Sequence, residues 1–322
     1  MKPIQTIAFI GLGNAGSKLA GSLLRNGFNL IVRDLNEEAA QPLLDAGATF
    51  GESPYNMTQA ADLLITCLPN PAASAAVLED HDGALSAIRK GKIWAEMSTT
   101  DESEVIRLGT LVEAQGGVPV DCPVSGGCHR AATGNISIFA GCERSTFEHM
   151  LPILTAMGRR ILHTGRLGSA SILKVVTNYL ATANLMTLCE ALVTCKAVGM
   201  DLGIAYEAIR ISSGHSFVHE TESQVILNGS RDIQFTMDLV CKDITLFDQI
   251  AKEAGIPLDL SPLMVKIFKE AMDKYGAREH SPNIIKRLEE VSGLDITAPG
   301  FPSEIIDNEP EDTGYEVRPS TA

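Results

Sequence analysis

Between Gly168 and Gly199 the sequence contains neither proline nor glycine, and alanine, leucine, isoleucine, valine and methionine dominate it. Such a segment predicts one helix about 45 Å long, at a rise of about 1.5 Å per residue. Apolar residues occur almost all round this helix, so most of it should be buried. Lys174 and Asn178 nevertheless lie in its first turns, four residues apart and therefore on one face. Because a cation is costly to desolvate, Lys174 is a candidate catalytic residue; a solvated, snorkelling lysine is the alternative.

A glycine motif follows the first predicted strand. The apolar run at residues 5–10 leads directly into Gly11-Leu12-Gly13-Asn14-Ala15-Gly16, and the helical segment after it stops at Gly27. In a nucleotide-binding βαβ unit the first glycine permits a tight turn, the second lets the backbone approach a pyrophosphate, and the third lets helix and strand pack closely. The motif therefore predicts dinucleotide binding. The alternatives are a glycine-rich turn in an unrelated α/β protein and the adenosine-facing loop of a methyltransferase.

The second predicted strand ends at Asp34, where a carboxylate could accept hydrogen bonds from a ribose diol. Leu35 follows it in place of an arginine, and a 2′-phosphate would meet the Asp34 carboxylate. These two residues favour NAD over NADP as the cofactor. Arg33 is the one residue that could turn toward a 2′-phosphate and reverse the preference.

Strand and helix patterns alternate as far as residue 164, which predicts a doubly wound, mostly parallel sheet of the Rossmann type over residues 1–164. Ligands of such sheets bind outside the carboxyl ends of the strands. Beyond the glycine motif, those ends carry Leu68-Pro69-Asn70, Ser98-Thr99 and Ser125-Gly126-Gly127.

No strand pattern occurs after Met200, so an all-α domain is predicted over residues 165–296, with residues 165–199 as an interdomain helix. Residues 297–322 contain six acidic residues and one arginine. That composition is typical of a flexible tail.

Composition limits the classes of function. A net charge of −14 argues against nucleic acid and anionic membrane surfaces as partners. Seven cysteines without a C-x-x-C pair are typical of reduced thiols in a cytoplasmic protein. Polar residues interrupt the long helix too often for a membrane span. No cluster of histidine, cysteine and acidic residues has metal-ligand spacing, so no metal is expected.

Four separated motifs together make the chain resemble the β-hydroxyacid dehydrogenase family over about residues 5–292. They are Gly11–Gly16, Asp121-Cys122-Pro123-Val124-Ser125-Gly126-Gly127, the helix start from Gly168 through Lys174 to Asn178, and Phe235, Leu239, Lys242 and Asp243. In the family's glycine motif a methionine usually stands where this chain has Ala15.

The resemblance implies a role for each motif. The residue matching Lys174 is the general acid/base, and the one matching Asn178 helps to hold lysine and substrate. The loop matching Ser125-Gly126-Gly127 binds the substrate carboxylate, while the residue matching Phe235 lies near the substrate. The residues matching Lys242 and Thr99 lie near the cofactor, and Leu68 and Pro69 are expected beside it.

These residues predict an enzyme that passes hydride between NAD and a small 3-hydroxy acid, giving its semialdehyde or 3-keto acid. An imine reductase shares the predicted architecture, but its members usually lack the lysine. A nucleotide-binding scaffold without catalysis is the alternative from another class. The resemblance also implies a homodimer or homotetramer.

Overall fold

The chain forms two compact units in a computed structural model that describes residues 3–320. Within the described residues, the first unit comprises residues 3–174 together with residues 307–320, and the second is Val175–Ile306. The boundary therefore falls inside the long helix and not at its predicted start. The segment after Ile306 returns to the first unit, although it was predicted to form a separate tail.

Ten strands form one sheet in the first unit. They are β1 (Thr6–Ile10), β2 (Asn29–Arg33), β3 (Thr49–Phe50), β4 (Leu63–Thr66), β5 (Ile93–Glu96), β6 (Val118–Asp121), β7 (Val124–Ser125), β8 (Ser137–Gly141), β9 (Arg160–Gly165) and β10 (Tyr315–Val317). The helices between them are α1 (Gly16–Arg25), α2 (Gln41–Asp45), α3 (Pro54–Ala60), α4 (Pro71–Glu79), α5 (Glu102–Ala114), α6 (Cys128–Ala132) and α7 (Arg144–Met157), with short 3-10 helices at Glu37–Ala40 and Ala84–Ala87.

The strand order is β10-β9-β8-β6-β5-β4-β1-β2-β3, and β7 pairs with β8. All pairs from β6 to β3 are parallel, whereas β8 runs antiparallel to β6 and β7. The chain leaves β1 for β2 on one side and later continues from β4 on the other. The carboxyl ends of β1 and β4 thus form the switch point at which doubly wound sheets bind ligands.

Alternate residues of β1 show that both faces of the sheet are covered. Ile7 and Phe9 belong to a buried cluster that includes side chains of α1 and α7, while Ala8 and Ile10 belong to another that includes side chains of α3 and α5. Successive strand side chains point to opposite faces, so a strand buried on both sides reads as a continuous apolar run. The predicted doubly wound architecture is confirmed.

The long helix α8 spans Ser169–Ala197 and crosses the boundary between the units. By length and composition it could span a membrane, with a mean hydropathy of 1.2 and 39% of its most apolar window buried. A single helix of this kind is weak evidence for a membrane protein, because core helices of soluble proteins have the same properties.

The regular elements of the second unit are helices, apart from one isolated antiparallel bridge between Thr236 and His280. Its further elements are α9 (Leu202–Arg210), α10 (Phe217–Asn228), α11 (Met237–Glu253), α12 (Leu260–Tyr275) and α13 (Lys286–Ser292), with a 3-10 helix at Ser281–Ile285. Its core contains residues of the second half of α8, together with Ile244 of α11 and Phe268 of α12. The predicted all-α second half is confirmed.

The acidic terminal segment differs from its prediction as a flexible tail. Strand β10 pairs in parallel with β9, and the N–H of Tyr315 donates to the carbonyl of Arg159 at 2.9 Å. Arg144 contacts Glu316 at 2.5 Å, and its hydrogen bond lowers the pKa of that carboxyl to about 2. Composition alone predicts disorder here, because the arginines that neutralise the segment lie far away in the sequence.

The start of α8 is held by a buried carboxylate. Asp121, at the end of β6, is fully buried and accepts the backbone N–H groups of Gly168 and Ser171 at 2.9 and 2.8 Å. The first N–H groups of a helix have no partner within the helix, so this side chain supplies two of them with acceptors. Burial raises the pKa of the Asp121 carboxyl, and the two N–H donors oppose that rise.

We expect Asp121→Ala to lower the free energy of unfolding by about 2–4 kcal/mol, because it leaves two buried N–H groups without an acceptor. Asp101→Ala is the matched control: Asp101 caps α5 by accepting the N–H of Glu104 at a part-exposed position. Its loss should cost about 1 kcal/mol. Urea unfolding of both variants measures the difference, and equal losses would contradict the anchoring role of Asp121.

Candidate active site

The three glycines of the first loop have different surroundings. A Cβ on Gly11, whose φ is +99°, would lie 2.2 Å from the carbonyl oxygen of Cys67, and one on Gly16 would lie 2.0 Å from that of Gly11. A Cβ on Gly13 would meet nothing within 4 Å. The first and third glycines are therefore required by the fold, while the second leaves an open approach to the backbone. This arrangement fits a bound pyrophosphate at the start of α1.

Asp34 is joined to the glycine loop by a hydrogen bond. One of its carboxylate oxygens accepts the N–H of Leu12 at 2.6 Å, and the other accepts the N–H of Asn36 at 2.9 Å. Leu12 was predicted to bind the cofactor, but its side chain is buried in the core. Its contribution to the loop is the backbone N–H that Asp34 accepts. The Leu35 side chain beside Asp34 is 98% exposed.

Arg33 points toward the neighbouring strand and loop. Its guanidinium donates to the carbonyl of Gly51 at 2.9 Å and lies 5.8 Å from the centre of the Phe50 ring. The guanidinium of Arg33, which was considered as a possible partner of a 2′-phosphate, is therefore already engaged in contacts within the protein.

Two neighbouring strand ends are joined through Ser98. Its hydroxyl oxygen accepts the N–H of Leu68 at 2.7 Å, and its own N–H donates to the carboxylate of Glu96 at 2.8 Å. Glu96 is almost fully buried, and burial raises the pKa of its carboxyl. These bonds fix the segments that carry Leu68, Pro69 and Thr99. Sequence reasoning missed Glu96, although an acidic residue ending an apolar strand was a visible signal.

The loop after β7 contains two glycines with positive φ, Gly126 at +125° and Gly127 at +87°. Ser125 pairs with Ser137 across the β7–β8 ladder, which fixes the base of the loop. Non-glycine residues rarely adopt such φ values, so this backbone conformation depends on both glycines. Successive N–H groups in turns of this kind can form a concave site for an anion.

Lys174 is the last residue of the first unit, and only 8% of its surface is exposed. It follows the anchored start of α8 by less than one turn, since Ser171 is the second residue whose N–H binds Asp121. The solvated-lysine alternative predicts an exposed side chain, which differs from the observed burial. Asn178 lies one turn further along the same helix, in the second unit.

The second unit brings three of its polar residues together. The side-chain nitrogen of Asn178 donates to one carboxylate oxygen of Asp243 at 2.5 Å, and the Lys242 ammonium contacts the other at 2.7 Å. The buried Asp243 carboxylate therefore balances the charge of Lys242 and orients the amide of Asn178. Phe235 is partly buried against the core of this unit, and its carbonyl accepts the N–H of Ser281 at 2.8 Å.

No group of three or more histidine, cysteine and acidic residues within residues 3–320 is arranged to hold a metal ion. All seven cysteines have free thiols. Burial raises the pKa of the Cys67 thiol, beside the glycine loop, to about 12.

Two family models match the chain. Residues 6–165 match the NAD-binding domain of 6-phosphogluconate dehydrogenase, and residues 168–288 match the NAD-binding domain of NADP-dependent 3-hydroxyisobutyrate dehydrogenase. The two matches meet at the start of α8, and the later one ends at residue 288 within the second unit.

Individual relatives agree with these models. The chain is 32% identical to 2-(hydroxymethyl)glutarate dehydrogenase of Eubacterium barkeri over 292 residues, which cover 90% of this chain and 97% of the relative. It is 28% identical to 3-sulfolactaldehyde reductase of Escherichia coli, covering 90% and 98%. A crystal structure of 3-hydroxyisobutyrate dehydrogenase from Salmonella typhimurium matches with a TM-score of 0.80 at 26% identity, covering 88% and 99%.

The doubly wound unit, its glycine loop and the helical unit after it define a dinucleotide-dependent dehydrogenase. Together with the matches, they show that the chain belongs to the β-hydroxyacid dehydrogenase family. It is an NAD(P)-dependent oxidoreductase of the 3-hydroxyacid type.

The glycine loop yields a prediction with an internal control. Gly13→Ala should leave the melting temperature almost unchanged, because its Cβ enters open space, but should weaken NAD binding by about tenfold or more if that space takes the predicted pyrophosphate. Gly16→Ala should lower both stability and NAD binding, because its Cβ overlaps a backbone oxygen. Thermal melting and quenching of protein fluorescence by NADH measure both effects. Unchanged NADH affinity in Gly13→Ala would contradict the predicted phosphate site.

Proposed function

We propose that this protein is an NAD-dependent dehydrogenase that interconverts a small 3-hydroxy acid and its semialdehyde or 3-keto acid, with Lys174 as general acid/base. The observation that carries the proposal is the burial of Lys174 just after the anchored start of α8. A buried amine is costly unless it is used, and this one lies within a motif of a dehydrogenase family.

The cofactor supplies the hydride chemistry, so the chain must bind, orient and move one proton. During oxidation the Lys174 amine removes the proton from the substrate hydroxyl, and during reduction its ammonium returns a proton to the carbonyl oxygen. Asn178 holds the lysine and the reacting oxygen. Asp243 fixes the side chain of Asn178 by accepting from its amide nitrogen, which leaves the amide oxygen to accept a hydrogen bond.

The substrate carboxylate binds the loop Ser125–Gly127 through the Ser125 hydroxyl and backbone N–H groups. In a chain with a net charge of −14, an anionic substrate requires local donors, and backbone N–H groups provide them without a further cation. Lys242 is paired with Asp243, so its charge is balanced within its own unit. We assign Lys242 and Thr99 to the nicotinamide side of the cofactor and Phe235 to the substrate.

NAD is the preferred cofactor in this proposal. Asp34 would repel a 2′-phosphate, and Arg33, the arginine next to it in the sequence, is engaged with Gly51 and Phe50. Leu68 and Pro69, at the end of β4, lie beside the cofactor.

The relatives support a small hydroxy acid as the substrate class. The name 2-(hydroxymethyl)glutarate describes a primary alcohol on the carbon next to a carboxylate-bearing carbon, which is a 3-hydroxy acid. We also propose that the enzyme is cytoplasmic and forms a homodimer or homotetramer. A second activity, imine reduction, is disfavoured because imine reductases of this architecture usually lack the lysine, whereas this chain has Lys174.

The first test is an absorbance assay at the nicotinamide band with a panel of 3-hydroxy acids, using NAD and NADP in parallel. We expect turnover with at least one acid and a kcat/KM at least about tenfold higher with NAD, a difference of about 1.4 kcal/mol, because the Asp34 carboxylate would repel the 2′-phosphate of NADP. Cofactor binding without turnover of any acid would favour the non-catalytic scaffold. Preference for NADP would contradict the role of Asp34.

The second test concerns the proton. Lys174→Ala and Lys174→Arg should lower kcat by about 10²–10⁴-fold, the range expected for loss of a general acid/base. Lys196→Ala is the matched control, since it removes a lysine from the last turn of the same helix and should leave kcat unchanged. NADH affinity should be unchanged in all three variants. A Lys174→Ala enzyme with near wild-type kcat would overturn the proposed role.

A further inference from the structure

The segment Asp307–Val317, which we call the C-terminal strap, belongs to the first unit although it follows the second in the sequence. It lies beyond both family models, the later of which ends at residue 288. Its strand β10 extends the sheet beside β9. Gly314 allows close packing here, because a Cβ on it would lie 2.1 Å from the carbonyl oxygen of Gly158.

The strap begins with contacts to the turn that follows α6. One carboxylate oxygen of Asp307 accepts hydrogen bonds from the Thr133 hydroxyl at 2.5 Å and from the side-chain nitrogen of Asn135 at 2.8 Å. The same nitrogen of Asn135 donates to the carbonyl of Glu309 at 2.7 Å. Asn135 is fully buried, so the strap supplies acceptors to a side-chain nitrogen that solvent does not reach.

Asp307 is suited to hold this turn as a charged acceptor. Burial opposes its ionisation, but the hydrogen bonds from Thr133 and Asn135, with help from the Arg130 guanidinium, outweigh burial and hold its pKa below the usual value. At neutral pH the carboxylate is ionised, and hydrogen bonds to a charged acceptor are stronger than those between neutral groups.

The turn is part of the excursion that carries the proposed carboxylate site. This excursion leaves the sheet at Ser125, passes through Gly126, Gly127 and α6, and returns at Ser137, where the two ends pair. Gly126 and Gly127, two of its three positive-φ glycines, have no side chains to fix their orientation. The backbone N–H groups at this site therefore depend on what holds the far side of the excursion.

The strap also joins the excursion to the helix that starts at the glycine loop. Arg25 of α1 donates to the carbonyl of Ala132 at 2.8 Å and contacts Glu311 of the strap at 3.4 Å. Glu309 contacts Arg160 of β9 at 2.8 Å. Each exposed ion pair contributes little by itself, but together they place Asp307 opposite Thr133 and Asn135.

We propose that the C-terminal strap positions the loop Ser125–Gly127 for the carboxylate of the substrate, with Asp307 as the positioning residue. This inference rests on the proposed function, because it assigns a structural support to the substrate site named there. Asp307 acts through Thr133 and Asn135 and does not itself touch the substrate.

The test compares Asp307→Ala with Glu316→Gln, a substitution in the same strap whose partners are Arg144 of α7 and Arg318, and not the turn after α6. Asp307→Ala should raise the KM of the acid substrate about fivefold to tenfold, the effect of losing charged hydrogen bonds behind a binding loop. Its kcat and the KM of NAD should stay within about twofold of wild type, because ground-state and transition-state binding of the carboxylate weaken equally. Glu316→Gln should leave all three constants unchanged, and Asp307→Asn, which keeps an acceptor oxygen, should recover part of the loss.

Hydrogen exchange of the backbone amides provides a readout that needs no turnover. In Asp307→Ala the amides of residues 126–136 should exchange faster than in Glu316→Gln, while those of β1 and β4 stay protected. If these amides exchange faster but the protein turns over no 3-hydroxy acid, the result would support the role of the strap in positioning the loop. It would overturn only the proposed function. Equal exchange and equal KM values in Asp307→Ala and Glu316→Gln would overturn the positioning role of the strap. Faster exchange spread over the whole first unit would also overturn it, because Asp307 would then only stabilise the fold.

Discussion

Within the first unit, the buried carboxylate of Asp121 lies between two parts of the proposed active site, the helix that carries Lys174 and the segment that leads to the loop Ser125–Gly127. Asp121 ends β6 and accepts two N–H groups at the start of α8, the helix that carries Lys174. The same residue begins the short connection to the loop Ser125–Gly127. The unpartnered N–H groups of a helix start need acceptors, and a buried side chain that supplies them fixes the position and direction of the helix. The helix that carries the amine and the chain segment that leads to the anion loop thus meet at one residue.

Acidic side chains serve as supports at several other points. Asp34 holds the glycine loop by the N–H of Leu12, Glu96 holds Ser98 between two strand ends, and Asp243 orients Asn178. Asp307 does the same for the turn after α6. The net charge of −14 is therefore not only a surface property, since part of it lies in carboxylates that accept hydrogen bonds from loops. In the proposed mechanism the groups that meet the anionic substrate are the Ser125 hydroxyl, backbone N–H donors and a buried amine.

Sequence reasoning predicted the doubly wound sheet, the helical second half and the long helix, because each rests on a periodic pattern of local residues. The glycine motif was also readable, since its spacing follows from the turn that it forms. The short strand β3 and the terminal strand β10 were missed, because two or three residues carry no period. The terminal segment was predicted to be flexible from its charge, and its partners Arg144 and Arg160 are brought to it only by folding. Glu96 was missed although its place at the end of an apolar strand was visible, because its burial is decided by the elements that pack around it.

The sequence by itself determined the classes of element, their order and the residue types able to do the chemistry, because helix and strand periods and glycine spacing are local properties of the chain. Only the tertiary structure decided that Lys174 is buried, that Leu12 serves its loop through the backbone, and that the last segment returns to the first unit. Burial, hydrogen-bond partners and ion pairs are relations between residues far apart in the chain, and they exist only once the sheet has brought those residues together.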